Sequence, residues 1–105
     1  MIALNPNDFD AKVMNARKLV LVFFNADWCA PGTKTIPHIE KAPESLGDVL
    51  EVYAMDSDAS GDTMSRLGII SIPAVVLFKD GRIVERILGY VPSEIISGMI
   101  ERHLA

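Results

Sequence analysis

A run of six apolar residues, 19–24, most restricts how this chain can fold. It reads Leu-Val-Leu-Val-Phe-Phe, so neither face of a strand built from it carries a polar side chain. Apolar runs rich in β-branched and aromatic residues, without alternation, are typical of strands covered on both faces. The run therefore predicts the central strand of a sheet with helices on both sides.

Strand-like and helix-like segments alternate around this run. Further strands are predicted at residues 2–4, 48–55, 74–78 and 82–88, and helices at 8–17, from 33 to about Ser45, at 59–67 and from a Ser93 cap onward. Asp80-Gly81 is a hairpin signal between the last two strands. The predicted order is βαβαβαββα, an α/β fold with a central mixed sheet flanked by helices on both faces. Helical connections predict parallel neighbours, and the hairpin adds an antiparallel pair at one edge.

Length and charge limit the possible functions. The 105 residues predict one domain, 1–105, and half of them are apolar. The net charge of −4, without a basic cluster, disfavours nucleic acids and anionic membranes as partners. No apolar run approaches the roughly 20 residues that span a bilayer. The chain start lacks signal-peptide features, so a cytoplasmic location is expected.

The only cysteine, Cys29, lies between the apolar run and a helical segment. A single cysteine excludes an internal disulfide and a multi-cysteine metal site, and we predict neither a metal nor a cofactor. Orphan N–H groups and the positive end of a helix dipole favour a thiolate at such a junction. Cys29 is therefore a candidate nucleophile. His38 lies about 13 Å further along that helix, too far to pair with Cys29, so we predict a surface histidine.

The segment around this cysteine resembles the thioredoxin motif Trp-Cys-Gly-Pro-Cys. Pro37 falls at the helix proline of that family, and Ile72-Pro73 falls at its cis-proline loop. The resemblance covers nearly the whole chain and implies the thioredoxin fold, with Cys29 as the catalytic thiol. It also implies that Ile72 and Pro73 join Trp28 in a client-binding surface. The active-site motif in this chain is Trp28, Cys29, Ala30, Pro31 and Gly32.

The chain departs from the family at the residues that complete the reaction. Gly32 replaces the second, resolving cysteine, and Asn25 replaces a second tryptophan. Phe23 stands where the family has a buried aspartate, and Ala54 where it has the lysine paired with that aspartate. A mixed disulfide on Cys29 would therefore need an external thiol, such as glutathione, for release. Ordinary dithiol reductase activity is expected to be absent or very weak.

Three functions are compatible with these residues. The first is a monothiol redox protein that forms mixed disulfides through Cys29 with protein disulfide or thiol clients. The second is a non-catalytic client-binding or chaperone-like module in which the thiol is vestigial. The third, iron–sulfur cluster binding with glutathione, is disfavoured because the motif after the cysteine differs from that of monothiol glutaredoxins. In all cases we expect a monomer, with a Cys29-linked dimer as the product of oxidation.

Overall fold

A computed structural model describes residues 1–41, 44, 46 and 48–104 of the chain. Five strands form one sheet in the order β1-β3-β2-β4-β5. The strands are β1 Ile2–Ala3, β2 Leu19–Asn25, β3 Leu50–Asp56, β4 Ala74–Lys79 and β5 Arg82–Leu88. The α-helices are α1 Ala30–Lys41, α2 Gly61–Leu67 and α3 Ser93–Glu101. A mixed five-stranded sheet with helices on both faces confirms the predicted fold class.

The apolar run forms β2, the middle strand of the sheet, as predicted. Its side chains alternate between two separate cores. Val20, Val22 and Phe24 pack on the face that holds α2 and the segment between β1 and β2. Leu21 and Phe23 pack on the other face, with apolar residues of α1 and α3. Both faces of β2 are therefore dry, which explains why its sequence shows no polar alternation.

The strand directions differ in part from the prediction. β3 runs parallel to both β1 and β2, in agreement with helical connections. However, β4 follows α2 and yet runs antiparallel to β2, on the side of β2 away from β3. The hairpin then adds β5 antiparallel at the edge, as predicted. The expectation that every helical connection joins parallel neighbours is wrong for β4.

The first predicted helix, 8–17, is replaced by two short irregular turns. A 3-10 turn covers Pro6–Asp8, and Asn5 caps it by accepting a hydrogen bond from the N–H of Asn7. A π-helical turn follows at Asp10–Met14 and closes with a bond from Asn15 N to Asp10 O. These turns still bury apolar side chains, because Phe9 and Val13 lie in the core.

The α-helices begin or end at residues that differ slightly from the predictions. α1 begins at Ala30 rather than at Thr33, because a proline such as Pro31 is well tolerated in a first turn. Its predicted end near Ser45 lies outside the described residues. α2 ends at Leu67 and is capped by Gly68, whose φ of 72° is the left-handed conformation typical of a glycine that follows a helix. No helix among the described residues is long and apolar enough to cross a membrane.

For the last helix, the sequence predicts Ser93 as the cap and an apolar stripe at helical spacing, formed by Ile95, Ile96, Met99, Ile100 and Leu104. Ser93 is instead the first helical residue, and Pro92 precedes it without a side-chain cap. Ile96, Met99 and Ile100 are buried as predicted, but Ile95 and Leu104 are exposed. The buried side of α3 is therefore narrower than the predicted stripe.

Glu85 on β5 binds two residues that follow α3. Arg102 contacts both carboxylate oxygens, at 3.0 Å from Nε to Oε2 and 2.6 Å from Nη2 to Oε1. The Nε2 atom of His103 lies 2.8 Å from Oε2. The hydrogen bond from Arg102 is the main reason that the pKa of Glu85 lies below its ordinary value, while partial burial opposes this shift.

This lowered pKa predicts a contribution of Glu85 to acid sensitivity. The folded chain holds a proton on Glu85 less readily than the unfolded chain does. The ion pair therefore stabilises the fold above about pH 5, and the benefit is lost as the pH falls through the folded-state pKa. Between about pH 6 and pH 3, the free energy of unfolding of the unmodified protein should decrease more than that of Glu85→Gln. We expect the difference between the two decreases to be less than about 1 kcal/mol, measured from thermal unfolding.

Glu101→Gln is the matched control for this measurement. Glu101 ends α3 and has no ion pair among the described residues. Its removal should leave the acid-induced loss of stability as large as in the unmodified protein. Equal flattening of the pH dependence in both variants would contradict a specific role for the Glu85 ion pair.

Candidate active site

Cys29 lies at the junction of β2 and α1, as the sequence predicted. Its N–H donates to the carbonyl oxygen of Ala26 at 3.0 Å. Its own carbonyl accepts the first helical hydrogen bond, from the N–H of Thr33 at 3.1 Å, and a second bond from the Thr33 hydroxyl at 3.3 Å. Cys29 is therefore the cap residue of α1, at the positive end of the helix dipole. Only 8% of the residue is exposed, so a reacting molecule reaches it from one side.

Trp28 stands beside the cysteine and is 70% exposed. Its indole Nε1 donates to Oδ2 of Asp58 at 3.0 Å. Asp58 belongs to the 3-10 turn Ser57–Ala59, which the side chain of Asp56 caps through the N–H of Asp58. The indole is thus anchored at its polar edge, while its faces remain free for an apolar ligand.

The Ile72-Pro73 loop lies at the same edge of the sheet as Cys29. Ala74, which starts β4, is the register partner of Phe24 near the end of β2. The Ile72–Pro73 peptide bond is cis, as the family resemblance implied. Pro73 is buried, whereas Ile72 is half-buried, and its backbone groups have no hydrogen-bond partner within the described residues.

A shallow groove runs from the start of α1 to Tyr90, two residues after the end of β5. Its lining is mainly apolar, and Lys34 supplies a positive charge. Ala30 and Pro31, from the predicted motif, are both exposed here. The complete lining consists of Ala30, Pro31, Lys34, His38 and Tyr90.

His38 differs from the predicted free surface histidine. It is half-buried, and its Nε2 lies 2.9 Å from the hydroxyl of Tyr90. Its Nδ1 accepts a hydrogen bond of 3.2 Å from the N–H of Ser93, the first residue of α3. His38 thus caps α3 from a neighbouring helix, a role that the local sequence does not indicate. The sequence argument against a Cys–His pair used only the rise along the helix. In the structure, the two ring nitrogens of His38 contact Tyr90 and Ser93 rather than Cys29.

Gly32 occupies the position of the resolving cysteine and is buried. A Cβ atom added to it would overlap the carboxamide of Asn25, at the end of β2. The Oδ1 atom of Asn25 is buried and has no hydrogen-bond partner in the described part of the chain. Asn25 is the site residue whose contact the sequence did not predict, because only the tertiary fold brings it onto Gly32.

Phe23 and Ala54 stand where the family resemblance places a proton-handling aspartate and lysine. They are direct register partners across β2 and β3, so the two substitutions lie side by side. Phe23 is 2% exposed and packs in the core with Ile39. Neither residue can take up or release a proton. Cys29 therefore has no acid or base at the two positions where the family places them.

Comparisons with known proteins match most of the chain to one family. The family model described as "Thioredoxin" matches residues 1–102. Thioredoxin of Bacillus subtilis is 30% identical over 104 residues, which cover 99% of this chain and 100% of that protein. Thioredoxin of Listeria monocytogenes is 37% identical over 86 residues, 82% of this chain and 84% of that protein. Thioredoxin 1 of Synechococcus elongatus is 30% identical over 102 residues, 97% and 95% of the two chains.

Proposed function

Because this chain belongs to the thioredoxin family of redox proteins, we propose that it carries out thiol–disulfide exchange with one thiol. The observation that carries the proposal is the pairing of Cys29, at the start of α1, with Gly32 in place of a resolving cysteine. Cys29 is the nucleophile, and Trp28, Ile72 and Pro73 form the client surface around it. The clients are protein disulfides or thiols, and the location is the cytoplasm.

The first step forms a mixed disulfide. The Cys29 thiolate attacks one sulfur of a client disulfide and forms a new S–S bond to it. The original S–S bond breaks, and the other client sulfur leaves with the electron pair and takes a proton from solvent. Cys29 is oxidised in this step, and the departing client sulfur is reduced. The attacking sulfur belongs to the cap residue of α1, at the end of the helix where the dipole carries partial positive charge.

The second step requires a thiol from outside the chain. Gly32 has no side chain with which to attack, and no other cysteine exists in the sequence. An external thiol of the glutathione type therefore has to release the client. Under oxidising conditions, an external oxidant takes up the two electrons of a pair of Cys29 thiols, the two protons go to solvent, and a disulfide-linked dimer of the otherwise monomeric protein forms.

A client-binding module without chemistry is the second candidate. It is favoured by the low exposure of Cys29 and by the loss of both proton-handling residues at Phe23 and Ala54. In this alternative, exposed Trp28 and the unpaired backbone of Ile72 hold an extended client through apolar contact and strand-like pairing. The two candidates differ in whether capture of a client is covalent.

Two disulfide substrates distinguish one-thiol from two-thiol chemistry. With insulin as substrate and thioredoxin reductase with NADPH as the electron source, we expect no reduction above background. With a glutathionylated peptide, glutathione and glutathione reductase, we expect turnover that depends on glutathione concentration. Sustained insulin reduction without added thiol would contradict the proposal. No turnover with either substrate would favour the binding module.

A further inference from the structure

Asn25 and Gly32 fit together on the inner side of Cys29. Gly32 follows Cys29 by three residues in the first turn of α1, so the two positions share one side of the helix. A Cβ atom on Gly32 would lie closer than 3.0 Å to Oδ1, Cγ and Nδ2 of Asn25, a separation that real Cβ atoms essentially never show. The carboxamide thus fills the space that a side chain at position 32 would need.

The same carboxamide keeps its place without a hydrogen bond to its oxygen. Its buried Oδ1 has no hydrogen-bond partner among the residues that the structure describes. An unpaired buried acceptor costs free energy to keep. The volume of the carboxamide therefore excludes a resolving side chain from the inner side of Cys29.

The direction of attack on a disulfide makes this exclusion relevant to turnover. A thiolate attacks one sulfur along the line of the S–S bond and expels the other sulfur. In a mixed disulfide on Cys29, the client sulfur lies toward solvent because Cys29 is buried. Attack on the Cys29 sulfur would therefore have to come from the inner side. We propose that Asn25 is a positioning residue that blocks this inner approach and directs the external thiol to the client sulfur.

This inference rests on the proposed function and determines the product of its second step. The external thiol loses a proton to solvent, and its thiolate forms an S–S bond to the client sulfur. The bond between client and Cys29 breaks, and the Cys29 sulfur leaves as a thiolate with the electron pair. Cys29 is returned reduced, and the external thiol is oxidised to a disulfide with the client. A protein client leaves capped by glutathione, and a glutathione client leaves as glutathione disulfide.

Product analysis tests the direction of attack. The protein is loaded at Cys29 with a synthetic peptide that has one cysteine, glutathione is added, and early samples are acid-quenched for mass spectrometry. For the unmodified protein we expect peptide–glutathione disulfide in at least about tenfold excess over glutathionylated protein. Asn25→Ala should reduce this excess at least about fivefold. Asn15→Ala makes the same change at an exposed asparagine and should not alter the excess.

Three results would overturn the inference. One is glutathionylated protein as the first product from the unmodified chain, and another is an unchanged product ratio in Asn25→Ala. The third is failure of Cys29 to accept the peptide at all, which would overturn the proposed function as well. The first two results leave mixed-disulfide chemistry intact, so failure of the inference is distinguishable from failure of the function.

A double-mutant cycle tests the packing independently of any redox step. The overlapping atoms belong to the end of the Asn25 side chain and not to the backbone, so the expected effect on stability is moderate. Gly32→Ala should lower Tm by about 4 °C when Asn25 is present. In the Asn25→Ala background the same change should raise Tm by about 4 °C, because alanine favours helix over glycine. Equal shifts in both backgrounds would overturn the steric argument.

Discussion

Cys29→Ser should reduce covalent capture of a client disulfide to the background level. A serine hydroxyl does not ionise near neutral pH and cannot form an S–S bond, so the first step of exchange has no nucleophile. The measurement mixes the protein with an excess of a biotin-labelled peptide disulfide and detects the covalent adduct by mass and on a non-reducing gel. We expect one peptide per chain for the unmodified protein and none for Cys29→Ser.

The same variant separates catalysis from binding. Serine is nearly isosteric with cysteine, so Tm should change by no more than about 8 °C, equal to about 1–2 kcal/mol at a buried site. Non-covalent binding of an extended peptide, followed by isothermal titration, should persist because Trp28 and Ile72 are unchanged. A covalent adduct in Cys29→Ser would contradict our assignment. An unmodified protein that binds peptide but forms no adduct would identify the binding module instead.

Phe24→Ala is expected to cause the largest loss of stability of any change considered. Phe24 is fully buried in the middle strand, where it packs with one of the two cores. Truncation of a buried phenylalanine removes apolar contact and leaves a cavity, which costs about 3–5 kcal/mol. This is a large part of the 5–15 kcal/mol typical of a small domain. Urea unfolding followed by circular dichroism measures the difference in the free energy of unfolding.

The control for this prediction is an apolar residue that buries almost nothing. Ile70 is 92% exposed, in the segment between α2 and β4. We expect Ile70→Ala to change the free energy of unfolding by less than about 0.5 kcal/mol. A loss at Phe24 that is no larger than the loss at Ile70 would contradict the placement of β2 between two dry cores.

Short sequence patterns predicted the parts of the fold that depend on residues close together in the chain. The uninterrupted apolar run placed β2 at the centre, and Asp80-Gly81 placed the hairpin, where both residues adopt positive φ. The direction of β4 was mispredicted because a short helical connection does not by itself determine on which side of the sheet a strand inserts. The resemblance, rather than any periodicity, implied the cis bond before Pro73.

The candidate site was also predicted only in part, because some of its contacts join residues that are far apart in the sequence. The junction of strand and helix at Cys29 can be read from neighbouring residues. A glycine inside a helix costs about 1 kcal/mol relative to alanine, and no neighbouring residue in the sequence explains why position 32 bears that cost. The benefit is room for the side chain of Asn25, seven residues earlier. That contact forms only because the tertiary fold places Asn25, the last residue of β2, against Gly32 in α1. Likewise, His38 binds the start of α3 through a contact 55 residues away in sequence.

The two edge strands of the sheet influence whether copies of this protein associate at high concentration. An unpaired strand edge is a template for aggregation unless it is short or charged. β1 has only two residues, and β5 carries Arg82, Glu85 and Arg86 along seven. Neither edge offers a long apolar row to a second copy. Pairing of two copies through either edge strand is therefore unfavourable. We expect high protein concentration alone to leave the protein monomeric, and a covalent dimer through Cys29 to form only under oxidising conditions.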